Sequence, residues 1–392
     1  MLDVRLHGER IGTLSRAAGG GYEFAYTAAV VERHGSGAVL LSNSLPVRPE
    51  PYSADTTRAY VDGLLPEGAR REHLAAALGI DPADGFALIG VLGADCPGAV
   101  TFAGADGAPV RGGGPQRVAL AGERAKLGLV REGFESPWRQ PEPGRPSTHV
   151  VKPASDELPE IVANEMFCMS VFRQAGLPAA KTSMETIEGR ECLVSPRFDL
   201  VWEGATPRRL HQETFCQALG IAPAEAGSRD AGAPGFAEAF GLLRAVGLES
   251  ELSTLLQAAF GNYVLGNGDA HGRNFALVFR EGRFALSLYD VTSTLVYDDP
   301  VEIGMVLPDD LDVTTYLREL RGIAEECGTA LDIFHIQASC ALKYVCDAIE
   351  VVAERAESEG WHAPVIDRIF EVAQDRAGRC AERLLLWDHL DM

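Results

Sequence analysis

The stretch Gly266-Asn267-Gly268-Asp269-Ala270-His271-Gly272-Arg273-Asn274 decides the reading of this 392-residue chain. It sets an Asp and an Asn five positions apart in a glycine-rich segment too irregular for a helix or a strand. Directly after it, Phe275 to Phe279 and Phe284 to Tyr289 read as two short apolar strands around the turn Arg280-Glu281-Gly282-Arg283. A hairpin there carries a second acid, Asp290, back beside Asn274, so that separation along the chain becomes adjacency in space.

Two carboxylates and an amide arranged in this way suit phosphoryl transfer. That reaction needs one carboxylate to take the proton of the acceptor hydroxyl, and oxygen ligands for the magnesium that bridges the phosphates. Asp269 fits the first role, and Asn274 with Asp290 fits the second. The D-x-x-x-x-N spacing is that of a kinase catalytic loop. Taken singly, each residue has a plainer reading: Asp or Asn beside Gly forms turns, and His271 reads as a structural histidine.

Composition sets the outer bounds. With 46% hydrophobic and 23% charged residues the chain can bury a large core, and its length suits two or three domains. A formal net charge of -21 argues against a general nucleic-acid-coating role, which depends on Lys and Arg. The start Met1-Leu2-Asp3-Val4-Arg5 lacks a basic segment followed by an apolar run, and no segment stays apolar for the ~18 residues of a membrane span. A cytoplasmic protein with no membrane partner is expected. The eight cysteines form no C-x-x-C pair and read as reduced core residues. No His or Cys cluster suggests a transition metal, which leaves Mg²⁺ on oxygen ligands as the expected ion.

Along the chain, strand patterns at Asp3 to Leu6, Ile11 to Leu14 and Tyr22 to Tyr26 are followed by helical patterns near Ala59 to Leu65, His73 to Leu78 and Phe86 to Leu92. The Gly and Pro cluster from Gly104 to Pro115 marks a domain boundary. Strands are then expected at Val118 to Gly122, Lys126 to Val130 and Thr148 to Pro153, a helix from Pro159 to Ala175 that bears Glu165, and strands at Ala180 to Ile187 and Glu191 to Ser195. Beyond Leu210 the chain reads as mainly helical, interrupted by the hairpin. The expected class is α+β, a two-lobed protein-kinase-like fold: residues 1–112 a β-rich N-terminal subdomain, 113–200 a nucleotide-binding lobe and 201–392 a helical lobe carrying the catalytic loop.

Three further pieces follow the order of a nucleotide site. Gly122, between two strands, is placed where a backbone can close over phosphates; Lys152 precedes a helix whose Glu165 is available to orient it; and Ser195 to Phe198 form a hinge able to present backbone groups to adenine. The plainer alternatives are a simple turn, a surface lysine, and a strand end closed by an Arg197 to Asp199 ion pair.

Asn43-Ser44-Leu45-Pro46, Gly63-Leu64-Leu65-Pro66-Glu67-Gly68 with Arg70 or Arg71, His149-Val150-Val151-Lys152-Pro153, Ala163-Asn164-Glu165, Arg197-Phe198-Asp199, Arg209-Leu210-His211-Gln212-Glu213, the 266–274 stretch and Tyr289-Asp290-Val291-Thr292-Ser293-Thr294 together resemble the HipA-type serine/threonine kinases. These are the toxin components of bacterial toxin-antitoxin pairs, and the likeness covers nearly the whole chain. It implies ATP with Mg²⁺ and a protein acceptor, an aminoacyl-tRNA synthetase in known members. It also implies a DNA-binding, HipB-like antitoxin partner through which any contact with DNA is made. Carried over by residue, Asp269 is the catalytic aspartate. Lys152 and the loop Ala121, Gly122, Glu123, Arg124, Ala125, Lys126 hold phosphates, and Pro196, Arg197 and Phe198 meet adenine. His271, Gly272, Arg273, Asn274, Tyr289 and Asp290 line the triphosphate site, where Asn274 and Asp290 are the metal ligands. The chain departs from the family at Ala119, where the glycine loop often carries an autophosphorylated serine, and at Glu123-Arg124, where a Gln is usual. Two other readings stay open: a small-molecule phosphotransferase, and a kinase-fold binding protein that sequesters an antitoxin.

Overall fold

Alternating apolar and polar residues at the N-terminus build an antiparallel sheet, because successive side chains leave a strand on opposite faces. The structure is a computed structural model and describes residues 1–18, 21–104, 126–133, 135–142, 144–204, 206–223, 233–297, 321–322, 324–325 and 328–385. Strands β1 (Leu2–Leu6), β2 (Glu9–Arg16), β3 (Tyr22–Tyr26) and β4 (Val100–Gly104) lie in the order β3-β2-β1-β4. The turn between β1 and β2 uses His7 and Gly8 with φ of 50° and 82°, the paired positive angles that match the twist of a tight hairpin. Leu2, Val4, Leu14 and Phe24 of this sheet share a core with Tyr60, Leu65 and Ile89. Helices α2 (Ala54–Asp62), α3 (Gly68–Leu78) and α4 (Gly85–Leu92) stand where the apolar periodicity predicts helices. Helix α1 (Ala28–His34) was not expected, since seven residues are too few for the period to register; the Thr27 hydroxyl starts it by accepting from the Val30 N–H at 3.3 Å.

The chain divides into two compact units, one of Met1–Lys152, Val194–Glu225 and Ala276–Ala285, the other of Pro153–Leu193, Ala226–Phe275 and Leu286–Met392. In the first, β5 (Leu127–Leu129) pairs antiparallel with β6 (His149–Pro153). The sequence-expected strand at Val118 to Gly122 lies outside the described residues. A two-stranded ribbon of β9 (Leu200–Glu203) and β10 (Thr206–Arg209) precedes β11 (Gln212–Thr214) and α6 (Phe215–Leu219). Strand β11 pairs with β12 (Phe275–Arg280), which forms the expected hairpin with β13 (Arg283–Leu288); Glu281 and Gly282 turn it with positive φ. The ribbon and β11 are strands that the sequence reading left out. The ribbon has little buried surface, so no alternation marks it, and β11 becomes a strand through its partner.

Two buried polar clusters hold the N-terminal sheet domain to residues 194–225 within this unit. Arg197 donates to Asp95 at 2.7 Å, to both oxygens of Asp199 at 2.9 and 2.6 Å, to the Ser147 hydroxyl and to the Cys96 carbonyl, and Arg209 adds a second contact to Asp95 at 2.9 Å. The charges are desolvated but mutually satisfied, which is the condition under which such a group survives burial. In the other cluster, the Ser42 hydroxyl donates to Glu213 at 2.5 Å and the Asn43 N–H at 3.1 Å, while the Asn43 and Ser44 side chains donate to the last carbonyls of α6. The Asn43-Ser44 motif is therefore a structural latch. Burial pushes the Glu213 carboxyl up from 4.5 to about 7, against the Ser42 and Asn43 hydrogen bonds.

The second unit is built on α5 (Ile161–Gln174), α7 (Phe236–Ala245), α8 (Leu252–Val264), α9 (Leu331–Glu359) and α10 (Pro364–Leu385), with β7 (Ser183–Ile187) and β8 (Arg190–Pro196) beside them in the chain. Helix α9 packs against α5, α8 and α10. Arg376 of α10 lies over the Tyr263 ring and donates to its carbonyl at 2.5 Å, and Arg383 donates to the Tyr263 hydroxyl at 3.1 Å.

Replacing Arg197 by Ala leaves the buried Asp199 carboxylate without its ion-pair partner and Asp95 with Arg209 alone, and is expected to lower stability by about 3–5 kcal/mol in denaturant unfolding. The Glu213 carboxyl, raised in the folded state, contributes stability below pH 4.5 that is lost as pH rises toward 7. Glu213→Gln removes that slope. The stability of the variant relative to wild type should thus climb between pH 4.5 and 7, by on the order of 3 kcal/mol, when thermal unfolding is followed at a series of pH values.

Candidate active site

Helix α8 ends in the sequence that makes the loop. Gly266 has φ of 68°, and a Cβ there would stand 2.9 Å from a Val372 methyl and 3.1 Å from Leu295, so the chain can leave the helix this way only through glycine. Asn262 and Asn267, each 2% exposed, then fix the next turn. The Asn267 amide donates to Asn262 Oδ1 at 2.9 Å, and its own Oδ1 accepts the Asp269 N–H at 3.0 Å. The Gly268 N–H donates to Thr294 Oγ1 at 2.8 Å. These bonds set the backbone of Asp269 while its side chain remains 45% exposed, open to a reacting group. His271 Nε2 lies 3.5 Å from Asp269 Oδ1, and the buried His271 Nδ1 finds no hydrogen-bond partner among the described residues.

Asn274 closes the loop. Its Nδ2 donates to the Asp269 carbonyl at 3.0 Å and lies 3.5 Å from the Asp290 carbonyl, and its own carbonyl accepts the Tyr289 N–H at 3.2 Å. The hairpin thus returns Asp290 beside Asn274. The Tyr289 hydroxyl donates to the Arg273 carbonyl. Burial pulls the Arg273 guanidinium below its usual range, opposed by the neighbouring Tyr289 and Asp290. Asp290 is half-buried and has φ of 61°, a conformation uncommon for a residue with a Cβ, which persists only where its surroundings hold it.

The fit to a divalent ion follows from the donor set. With Nδ2 committed to main-chain carbonyls, the oxygen of the Asn274 amide is its remaining donor, and the Asp290 carboxylate is the neighbouring acid; both are hard oxygen ligands of the kind Mg²⁺ takes. Among the described residues no three His, Cys, Asp or Glu side chains gather as a metal cluster. The free cysteines Cys96, Cys168, Cys192, Cys216 and Cys380 are buried.

Asp269, His271, Gly272, Arg273, Asn274, Tyr289 and Asp290 are therefore brought into one locality of the second unit. Glu165 of α5, also in that unit, is 3% exposed. The other expected nucleotide residues belong to the first unit. Lys152 stands half-buried on β6, and Lys126 is 9% exposed with its carbonyl accepting from Arg70; Ala121 to Ala125 lie outside the described residues. Pro196 is exposed. The Arg197 side chain serves the buried ion network, its N–H donates to the Thr148 carbonyl, and the Phe198 carbonyl accepts from Arg280 at 2.8 Å. The Arg197–Asp199 pair that the sequence offered as the plainer alternative is present at 2.6 Å.

Asn262 and Thr294 were not assigned a role from sequence. A polar residue among Leu255, Ala258, Ala259, Phe260 and Tyr263 on a buried helix was the available signal for Asn262.

The mixed sheets, the helical unit and this looped acid-amide-acid arrangement define a kinase-like fold. Solved structures bear this out: the HipA of Shewanella oneidensis, determined in complex with HipB and its operator DNA, superposes with a TM-score of 0.77 at 22% identity, covering 100% of this chain and 99% of that one. The HipA N-terminal domain model matches residues 2–103 and the HipA-like C-terminal domain model residues 118–358. The chain belongs to the HipA family of kinases. It is 34% identical over 334 residues to Y4mE of Sinorhizobium fredii, a protein named provisionally as a kinase, with 76% of this chain and 78% of that one aligned. It is 26% identical over 295 residues to the serine/threonine-protein kinase toxin HipA of Shewanella oneidensis, with 64% and 67% aligned. Among the described residues no helix is long and apolar enough to cross a membrane.

Gly266→Ala is expected to destabilise the unit by about 1–3 kcal/mol, through both the left-handed φ and the close approach of Val372. A thermal midpoint equal to wild type would count against this account of the loop.

Proposed function

We propose that this protein is the serine/threonine protein kinase toxin of a toxin-antitoxin pair, transferring the γ-phosphate of ATP to a protein, an aminoacyl-tRNA synthetase, and thereby arresting translation and growth. A HipB-like DNA-binding antitoxin restrains it, so that it meets DNA only through that partner; its action is in the cytoplasm, where such a synthetase works. The observation that carries the reading is the Asn274 amide, whose nitrogen holds the Asp269 carbonyl and approaches that of Asp290, leaving its oxygen for a ligand.

In this mechanism the exposed Asp269 carboxylate accepts the proton of a serine or threonine hydroxyl as that oxygen bonds to the γ-phosphorus, whose bond to the bridging oxygen breaks to release ADP. The imidazole of His271, 3.5 Å away, holds the orientation of the Asp269 carboxylate. The Asn267 side chain fixes the Asp269 backbone before substrate arrives, so little reorganisation is left for the reacting state. Asn274 and Asp290 would hold Mg²⁺, which when bound neutralises charge on the phosphates. Lys152 is assigned to phosphate contact. The likeness to the Shewanella toxin and to its complex with HipB supports the class of acceptor and partner.

The test is transfer of labelled γ-phosphate from Mg-ATP in a cell extract, with labelled species identified by mass spectrometry. Asp269→Asn should reduce transfer by about 10²–10⁴-fold while Mg-ATP still binds, because it removes the proton acceptor but little volume. Asp290→Ala should instead weaken Mg²⁺-dependent nucleotide binding in calorimetry. Label in a protein supports the reading; label in a small metabolite, or undiminished transfer by Asp269→Asn, overturns it.

A further inference from the structure

We infer that Asn164 is a positioning residue for the metal site, holding Asp290 in the conformation that presents its carboxylate; the inference rests on reading Asp290 as a Mg²⁺ ligand. Asn164 is fully buried on α5, among Ala163, Phe167 and Cys168. An Asn in a helix interior has poor propensity, and a buried amide is tolerated only when its hydrogen bonds are made. Here both ends of the amide reach the main chain of one residue. Asn164 Nδ2 donates to the Ser293 carbonyl at 2.9 Å, and Asn164 Oδ1 accepts the Ser293 N–H at 2.9 Å. Two opposed bonds fix both the place and the orientation of the Ser293 backbone. Ser293 is itself fully buried, so no water can substitute.

What that bond controls lies three residues earlier. Asp290, with φ of 61°, stands between two anchored ends. On its N-terminal side the Tyr289 N–H is held by the Asn274 carbonyl at 3.2 Å. On its C-terminal side Ser293 is held by Asn164, and the next two N–H groups, of Thr294 and Leu295, donate to the Gly266 carbonyl at 2.9 and 3.1 Å. The uncommon backbone angle of Asp290 persists because both ends of this short span are pinned. Releasing Ser293 frees the span to relax toward negative φ, which turns the carboxylate away from Asn274. Only an amide fills the position: a Leu would strand both Ser293 groups, and an Asp would set a carboxylate against the Ser293 carbonyl. The remaining neighbours of the amide, the Cys168 thiol at 3.5 Å and the Tyr297 hydroxyl at 3.3 Å, do not touch the Asp290 segment through main-chain bonds to Ser293 and serve as controls.

The experiment uses the full chain with a non-hydrolysable ATP analogue and Mn²⁺ as the probe, its binding read by electron paramagnetic resonance, together with the Mg²⁺ dependence of phosphate transfer. Asn164→Ala is expected to weaken Mn²⁺ binding by about 10–100-fold, the usual effect of losing a group that orients a metal ligand. Its transfer rate should recover toward wild type at saturating Mg²⁺, which a merely structural lesion would not do, and Tyr297→Phe should bind Mn²⁺ within twofold of wild type. Should the alanine variant fail to fold, Asn164→Asp keeps the shape and the acceptor for the Ser293 N–H and is expected to show the same weakening. Wild-type Mn²⁺ affinity in a folded Asn164 variant, or a lost rate that Mg²⁺ does not restore, overturns the inference. If Asp290→Ala weakens Mn²⁺ binding and the Asn164 variants do not, the metal reading of Asp290 stands and this inference alone falls; if Asp290→Ala binds Mn²⁺ as wild type does, both fall together.

Discussion

The side-chain amide of Asn274 is the interaction on which the site depends. By donating at 3.0 Å to the carbonyl of Asp269 and approaching that of Asp290, it joins two segments that would otherwise be independent loops. Neither segment is a helix or a strand, so neither has a regular ladder to hold it. Each buried N–H and C=O must then find a partner elsewhere. Asparagine side chains supply those partners at Asn267, Asn274 and Asn164, with Asn262 holding the Asn267 amide, and the Thr294 hydroxyl supplies another. The result is a backbone fixed in advance around a carboxylate that is itself open.

The same physical rule governs the first unit, with charges in place of amides. Arg197 and Arg209 on one side and Asp95 and Asp199 on the other would each be costly to bury alone, and together they satisfy one another. Glu213 is a weaker case. Two donors reach it, yet burial outweighs them and raises its pKa. The Asn43-Ser44 motif is explained by this latch, and the Arg197-Phe198-Asp199 motif by the ion network. The resemblance links the second of these stretches to adenine, yet the Arg197 and Asp199 side chains are committed to holding structure.

Much of the fold could be read in one dimension. The β1–β2 hairpin, α5 and the β12–β13 hairpin follow from period-2 and period-3.6 patterns and from the His7-Gly8 and Glu281-Gly282 turns. The adjacency of the candidate residues Asp269, Asn274 and Asp290 was legible because one short loop and one hairpin bring them together. The ribbon β9–β10 and strand β11 were not. The ribbon buries too little surface for a pattern to register, and pairing with the distant β12 is what makes β11 a strand.

The sequence by itself determined the strongly patterned elements and the acid-amide-acid pattern, since both arise from residues close along the chain. Only the tertiary structure decided the supports: Arg197 meets Asp95 across 102 positions, Ser42 meets Glu213 across 171, and Asn164 meets Ser293 across 129. No local propensity encodes such pairs. They exist because burial strips water from polar groups, and the compact chain then brings to each the one partner able to replace it.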